Sequence, residues 1–219
     1  MFLSEKELVN RLIEHYDKYF TVQEIGAGYG ISDLLIIRNK TELIRFMENR
    51  NGTYLKHLDD IRVFEYIRKR NGVTLDEMME KLYISKSKLR YSIVKRLEEI
   101  GAVIKKENFY YRGSNFKLFC PNVTAFEAKL EDWKKGLAQA IRYQRFADKS
   151  YLALDEKFVH RANQEEFLKY NIGLISVGPR VKEIIKPISQ RPLDPIMRYK
   201  VAEETISKIH FTCEKLHLT

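Results

Sequence analysis

Apolar positions along the chain change period several times, and each change marks an element. Leu8, Leu12, Tyr16 and Tyr19 recur at helical spacing behind Ser4 and Glu7, a pair that resembles a capping box. Phe20 to Ile25 is apolar and β-prone, and a glycine-rich turn, 26–30, joins it to the apolar run Asp33–Ile37. Because that turn leads into a strand, it offers no helix N-terminus to a phosphate and reads as a hairpin turn. A charged helical segment is expected from Thr41 to about Leu58, with no chemistry of its own. The texture then changes. Ile61, Phe64 and Ile67 line one side of a helix that ends at Asn71-Gly72, and Val73–Leu82 makes a second, short helix with Thr74 as cap. Ser85 caps a third helix closed by Gly101, and 102–106 and 109–112 read as two strands around Glu107-Asn108.

From Ala125 to Leu154 the pattern runs strand, helix, strand. Alternate residues of a strand share a face, so Glu127 and Lys129 project together and Phe126 and Ala128 oppose them. The spacing acid-x-Lys occurs three times, also at Asp132/Lys134 and Asp155/Lys157, and alone it is a weak signal. Only Glu127/Lys129 lies inside an apolar strand that runs into a helix. On that helix, about 131–148, Trp133, Leu137, Ala140 and Ile141 form a core stripe. Gln139, Arg142, Tyr143 and Phe146 form another, which lets Gln139 and Tyr143 face the same place as Glu127. A helix at about 163–170, a strand at 172–177, a proline-punctuated segment and a last helix from Asp194 follow.

Composition narrows the classes. The 219 residues suffice for one large or two small domains, and 44% apolar content with mixed charge describes a globular chain. A net charge of +9 favours an anionic partner, nucleic acid first. No run approaches a membrane span, and the amino terminus lacks the apolar stretch of a cleavable signal, so a cytoplasmic location with no membrane partner is expected. Cys120 and Cys213 lack ligand spacing, and the five histidines make no HxxxH or HxH pair, which disfavours a histidine-bound zinc.

Three helices and a β-hairpin, with a three-residue turn before the last helix, resemble a winged helix-turn-helix over residues 58 to 113. Lys86, Lys88, Arg90, Lys95 and Arg96 fall between Ser85 and Leu97 with no acid among them, off the apolar stripe of Leu89, Ile93, Val94 and Leu97. That is the electrostatic pattern expected of a helix contacting DNA, with Lys105, Lys106, Tyr110 and Arg112 on the hairpin adding contacts.

Asp33 is the odd residue of its strand, a carboxylate heading four apolar side chains, and its burial calls for a partner such as a metal or Lys129. With 58–113 lifted out, the order helix, strand, strand, strand, helix, strand, with Asp33 on the second strand and Glu127-Ala128-Lys129 on the third, resembles the PD-(D/E)XK nuclease superfamily. Gln139-x-x-x-Tyr143 is similar to the QxxxY motif of its RecB-like branch. The resemblance implies an α/β, restriction-endonuclease-like fold, a mixed β-sheet flanked by helices, with an inserted winged helix-turn-helix. The discontinuous core would take 1–40 and 114–219, and 41–57 would be a connecting helical segment.

The resemblance further implies Mg²⁺- or Mn²⁺-dependent hydrolysis of DNA phosphodiester bonds. Asp33 and Glu127 would ligate the metal with the backbone carbonyl of Ala128, and Glu14 would be the extra first-helix acid that some members use. Lys129 would orient the attacking water, with Gln139 and Tyr143 lining the site. Two departures stand out. Ser32 takes the place of proline, and Asp33 and Glu127 stand 94 positions apart, which requires a folded insert whose ends return together. Cutting a duplex takes two sites, so a homodimer stays open. So does a non-catalytic DNA-binding regulator or defence-system component with an inert nuclease-like core.

Overall fold

The computed structural model describes residues 2–26, 28–50 and 52–217, with side chains to residue 209. In order, the elements are α1 (Glu5–His15), β1 (Phe20–Gly26), β2 (Ile31–Ile37), α2 (Lys40–Asn49), α3 (Leu58–Arg68), β3 (Val73–Thr74), α4 (Leu75–Leu82) and α5 (Lys86–Lys88). A π-helical turn, Leu89–Val94, carries α5 into α6 (Lys95–Glu99). Then come β4 (Val103–Lys106), β5 (Phe109–Arg112), β6 (Val123–Lys129), α7 (Trp133–Tyr143), β7 (Lys149–Asp155), α8 (Gln164–Tyr170), β8 (Gly173–Val177), β9 (Val181–Ile185) and α9 (Pro195–His217). Two compact units result, Met1–Glu42 with Cys120–Val201, and Leu43–Phe119 with Ala202–Thr219. Residues 114–119, expected in the core, therefore group with the second unit, and the boundary at 201/202 falls inside α9.

The first unit is α/β. Its six-stranded mixed sheet has the order β1-β2-β6-β7-β8-β9, with β6, β7 and β8 parallel and the other neighbours antiparallel. Strand alternation divides the core between two faces. Leu34, Ile36, Phe126, Ala128, Tyr151 and Ile175 pack with Leu8, Val9 and Leu12 of α1. On the opposite face Leu152, Leu154 and Leu174 pack with Leu137 and Ala140 of α7 and Phe167 of α8. Ser4 caps α1 by accepting from the Glu7 N–H at 3.3 Å, as its spacing predicts. The β1–β2 turn carries Gly28 and Gly30 at φ 74° and 124°, conformations a side chain disfavours, while Ala27 lies outside the described residues.

In the second unit α3, α4 and the helix running through α5 and α6 pack beside a three-stranded sheet of order β3-β5-β4. Ile61, Phe64, Ile67, Leu89, Ile93, Val94 and Leu97 are buried, the apolar stripes read from spacing. Thr74 and Glu77 form a reciprocal capping box, and Ser85 accepts from the Lys88 N–H at 3.4 Å. Arg50 is buried against Glu203 at 2.8 Å.

Several expectations shift. The charged segment 41–58 is helical only to Asn49, after which Gly52 at φ 72° breaks it and the chain runs irregularly to His57. Helix α7 stops at Tyr143, because Asp148 turns back to accept the Val123 N–H at 2.8 Å. The segment between Pro179 and Pro187 contains an edge strand, β9, which the flanking prolines conceal.

Candidate functional site

Strand register builds the site. Leu34 pairs with Phe126 and Leu35 with Ala125, so Asp33 and Glu127 come up on the same face of neighbouring strands. Lys129 follows two residues on, at the end of β6. The carboxylate of Asp33 accepts the Ala128 N–H at 2.8 Å. Lys129 Nζ lies 2.8 Å from Glu127 Oε1, 3.0 Å from the Ala128 carbonyl and 3.2 Å from Glu5 Oε2. Tyr143 donates its hydroxyl to Glu127 Oε2, and that hydroxyl lies 2.7 Å from the Ile31 carbonyl oxygen. Glu127 is 1% exposed, so its charge rests on these partners.

Helix α7 completes the site through a close approach. Gly136, Gln139 and Tyr143 lie on one stripe toward the sheet, at i, i+3 and i+7. A Cβ at Gly136 would collide with Leu152 Cδ1 and stand 2.9 Å from Lys129 Cγ, so the absence of a side chain is what lets the helix sit over the lysine stem. Between them, Gln139 holds a buried Oε1 with no hydrogen-bond donor among the described residues.

The electrostatics follow from burial. Desolvation pushes the Asp33 carboxyl up to about 6, with the Ala128 N–H pulling down and neighbouring Glu127 pushing up. Burial alone would lower Lys129, but its hydrogen bond to Glu127 and the charges of Glu127 and Glu5 outweigh it, and the ammonium is held above its ordinary range. Desolvation and Glu127 raise Tyr143 strongly, keeping it a donor.

Of the residues singled out by sequence, Asp33, Glu127, Lys129, Tyr143 and the Ala128 carbonyl come together, and Gln139 stands on the same helix stripe. Glu14 does not join them. It is exposed on the last turn of α1 and pairs with Arg11 at 2.8 Å. Glu5, at the other end of that helix, reaches Lys129 instead. Sequence gave no sign of Glu5, since an acid in a first turn is ordinary dipole compensation. A glycine in the middle of α7 was a readable signal.

The oxygen donors able to hold a cation are the carboxylates of Asp33 and Glu127 and the Ala128 carbonyl. All are hard ligands suited to Mg²⁺ or Mn²⁺, and Mg²⁺ keeps several waters when few protein ligands are offered. The Lys129 ammonium already lies against two of the three, which shows that this corner accommodates positive charge. Among the described residues no third His, Cys, Asp or Glu completes a larger cluster.

On the second unit, Arg90, Lys95, Lys105, Lys106 and Arg112 are exposed. The acid-free character of the 85–97 segment does not survive folding. Lys86 pairs with Asp76 at 2.8 Å, Lys88 with Asp59 at 2.6 Å, and Arg96 with the buried Asp60 at 2.5 Å. The first two pairs are exposed at the lysine and worth little, so those lysines can still exchange partners. Arg96 is tied down as part of the packing. Cys120 is exposed and free, the side chain of Cys213 lies outside the described residues, and no described helix is long and apolar enough to cross a membrane. Comparisons of the chain with family models, with curated proteins and with solved structures found no match.

Proposed function

We propose that the protein is a metal-dependent nuclease of the PD-(D/E)XK kind, hydrolysing DNA phosphodiester bonds, with residues 58–113 as a winged helix-turn-helix that binds the DNA. The observation that carries this reading is the convergence of Asp33, Glu127 and Lys129, from positions 94 apart, on one face of a mixed sheet. Two carboxylates on adjacent strands, Glu127 buried and Asp33 half-buried, are costly to hold together, and the single ammonium of Lys129 balances only one of their charges.

Asp33, Glu127 and the Ala128 carbonyl would hold the Mg²⁺ or Mn²⁺. The ion would supply positive charge against the charge that develops on the phosphate oxygens. Lys129, protonated throughout the neutral range, positions the attacking water as a donor and does not act as a base. Tyr143 fixes the Glu127 carboxylate through a hydroxyl that stays protonated. Gln139 offers its unpaired Oε1 as an acceptor for a water in the site. On the second unit the helix 86–99 would meet the major groove through Lys86, Lys88, Arg90 and Lys95, and the hairpin β4–β5 would contact the backbone through Lys105, Lys106 and Arg112.

A second reading is favoured by one observation, that Lys129 already satisfies Glu127 and that, among the described residues, two carboxylates stand at the cation corner. In it the site is an inert buried ion pair and the protein is a DNA-binding regulator. Duplex DNA incubated with the protein in Mg²⁺, Mn²⁺ or chelator separates the two. The nuclease reading expects cleavage that needs the ion and disappears in Lys129→Ala while DNA binding persists. Equal cleavage by variant and wild type, or none with either ion, would dismiss it.

A further inference from the structure

The second unit keeps one buried charge only partly satisfied. Arg50 follows the last residue of α2 and is 5% exposed. Its Nη1 donates to Glu203 Oε1 at 2.8 Å and Oε2 at 3.0 Å. Its Nε and Nη2 are also buried, and they find no acceptor among the described residues. Those two nitrogens make one edge of the planar guanidinium, with parallel N–H bonds, the edge that takes two oxygens of an oxyanion side-on. Aromatic neighbours hold the plane, since Cζ lies 3.9 Å from the Phe116 ring centre and 5.1 Å from that of Phe46. Charged donors left buried and unpaired are costly, and in a folded chain they point to an acceptor that the protein does not itself supply.

A hollow of about 320 Å³ lies at this arginine, lined with it by Phe46, Asn49, Ser114, Asn115 and Lys117. Ser114 and Asn115 stand in the turn that follows β5. The Gly113 N–H donates to the Ala102 carbonyl at 2.7 Å, and the Phe116 N–H to the Gly113 carbonyl at 3.3 Å. A Cβ at Gly113 would collide with the Gly101 carbonyl, so glycine is what lets the turn sit this close. Among the described residues no acid lines the hollow. With Glu203 offsetting Arg50, the ammonium of Lys117 leaves it net positive.

We infer that this hollow binds a phosphate group, held side-on by the Nε–Nη2 edge of Arg50, with Lys117, Ser114 and Asn115 around its other oxygens. The donors decide between oxyanions. A carboxylate would spend both oxygens on the arginine edge and leave the lysine, hydroxyl and amides without an acceptor, whereas a phosphate has further oxygens to offer them. The phosphate has two sources, a soluble phosphate ester or the backbone of a nucleic acid. The inference does not rest on the nuclease reading, since every residue in it belongs to the second unit and none to the Asp33 cluster.

Calorimetric titration of the full chain with inorganic phosphate and with acetate, beside anisotropy titration of duplex DNA, tests it. Phosphate is expected to bind saturably, and acetate about tenfold more weakly or worse. Arg50→Lys keeps a cation opposite Glu203 and the net charge of the chain, but removes the side-on edge. It should weaken phosphate by about tenfold or more, with a cooperative urea transition showing that the variant folds. Lys117→Glu and Asn115→Asp, at exposed positions, should do the same and carry the test if Arg50→Lys does not fold. Lys129→Ala should leave every affinity unchanged. Duplex affinity lowered in Arg50→Lys, with the salt slope reduced by about 1 in Lys117→Glu, would make the nucleic-acid backbone the source and support the site. Loss of phosphate binding with duplex affinity intact would make a soluble ester the source and support it equally. The inference is overturned if acetate binds as well as phosphate, or if neither phosphate nor duplex binding responds to Arg50→Lys, Lys117→Glu and Asn115→Asp.

Discussion

Replacing Gly136 by alanine tests whether the close approach of α7 shapes the site. In an exposed helix interior the change would help, because alanine is favoured over glycine by about 1 kcal/mol. Here the new methyl would collide with Leu152 Cδ1 and lie 2.9 Å from Lys129 Cγ. Leu152 is fully buried in the cluster with Leu137, Ala140 and Phe167, so it cannot swing away without opening a gap. Overpacking of this kind costs about 1–3 kcal/mol, which outweighs the propensity gain and leaves a net loss of about 0–2 kcal/mol. The second consequence is specific. The lysine stem is pushed at Cγ, so Nζ can no longer hold 2.8 Å to Glu127 and 3.0 Å to the Ala128 carbonyl together. Cleavage should therefore fall by ten- to a hundredfold, more than partial unfolding explains, while affinity for duplex DNA stays unchanged. Urea denaturation and metal-dependent cleavage at a temperature where both proteins are folded measure the two effects. A variant stabilised by the full propensity gain, with unaltered cleavage, would refute the argument that the helix is held this close for the sake of the lysine.

Asp33→Asn has a pH-dependent sign. The wild-type carboxyl sits at about 6 in the folded protein against an ordinary 3.8, so its contribution to stability is complete below about pH 4 and is lost as pH rises through 6. The neutral variant escapes that loss and should be the more stable above pH 6, with no difference near pH 4. The shift sets a ceiling of about 3 kcal/mol, which solvent at this half-buried position reduces to about 1–2 kcal/mol, and equilibrium unfolding across that range reads it. Mg²⁺ should stabilise the wild type against urea and not Asp33→Asn. Removing Asp60 leaves Arg96 without its carboxylate partner, with the Ser92 hydroxyl at 2.6 Å still accepting from it, and should cost about 1–3 kcal/mol in thermal or urea unfolding. Lys105→Ala with Lys106→Ala should weaken duplex binding evenly across sequences and flatten the salt dependence by about 2 in slope, seen by anisotropy titration at several ionic strengths.

The strands, caps and core stripes were legible because each depends on neighbours a few positions away. Ser4 needs only Glu7, and Leu89, Ile93 and Leu97 need only the helical repeat. What escaped depends on partners that spacing does not reach. Lys86 and Lys88 look unopposed along the chain because their acids, Asp76 and Asp59, stand 10 and 29 positions back on other helices. Glu5 meets Lys129 from 124 positions away. The strand β9 lacks the apolar alternation of a half-buried strand, for three of its five residues are exposed at the sheet edge. Its evidence was the pairing with β8, which exists only in the folded sheet.

The long interval between Asp33 and Glu127 illustrates the converse, a sequence distance with no physical content. Strands β2 and β6 are antiparallel neighbours, and Ile37 pairs with Val123 where they meet. Everything from Arg38 to Asn122 is therefore one hairpin connection, with both ends at the same point of the sheet. Antiparallel neighbours accept a connection of any length, since the chain has only to return beside the point where it left. The entropy of closing it grows with the logarithm of length, about 0.6 kcal/mol for each doubling, so going from a short turn to this excursion costs roughly 2–3 kcal/mol. That is small against the pairing along β2 and β6 and the burial of their apolar faces. The register that brings Leu35 opposite Ala125 also brings Asp33 beside Glu127, and it does so whatever lies between. Spacing between two residues on such strands is therefore no measure of their separation. The pairing partner of the strand that carries each of them is.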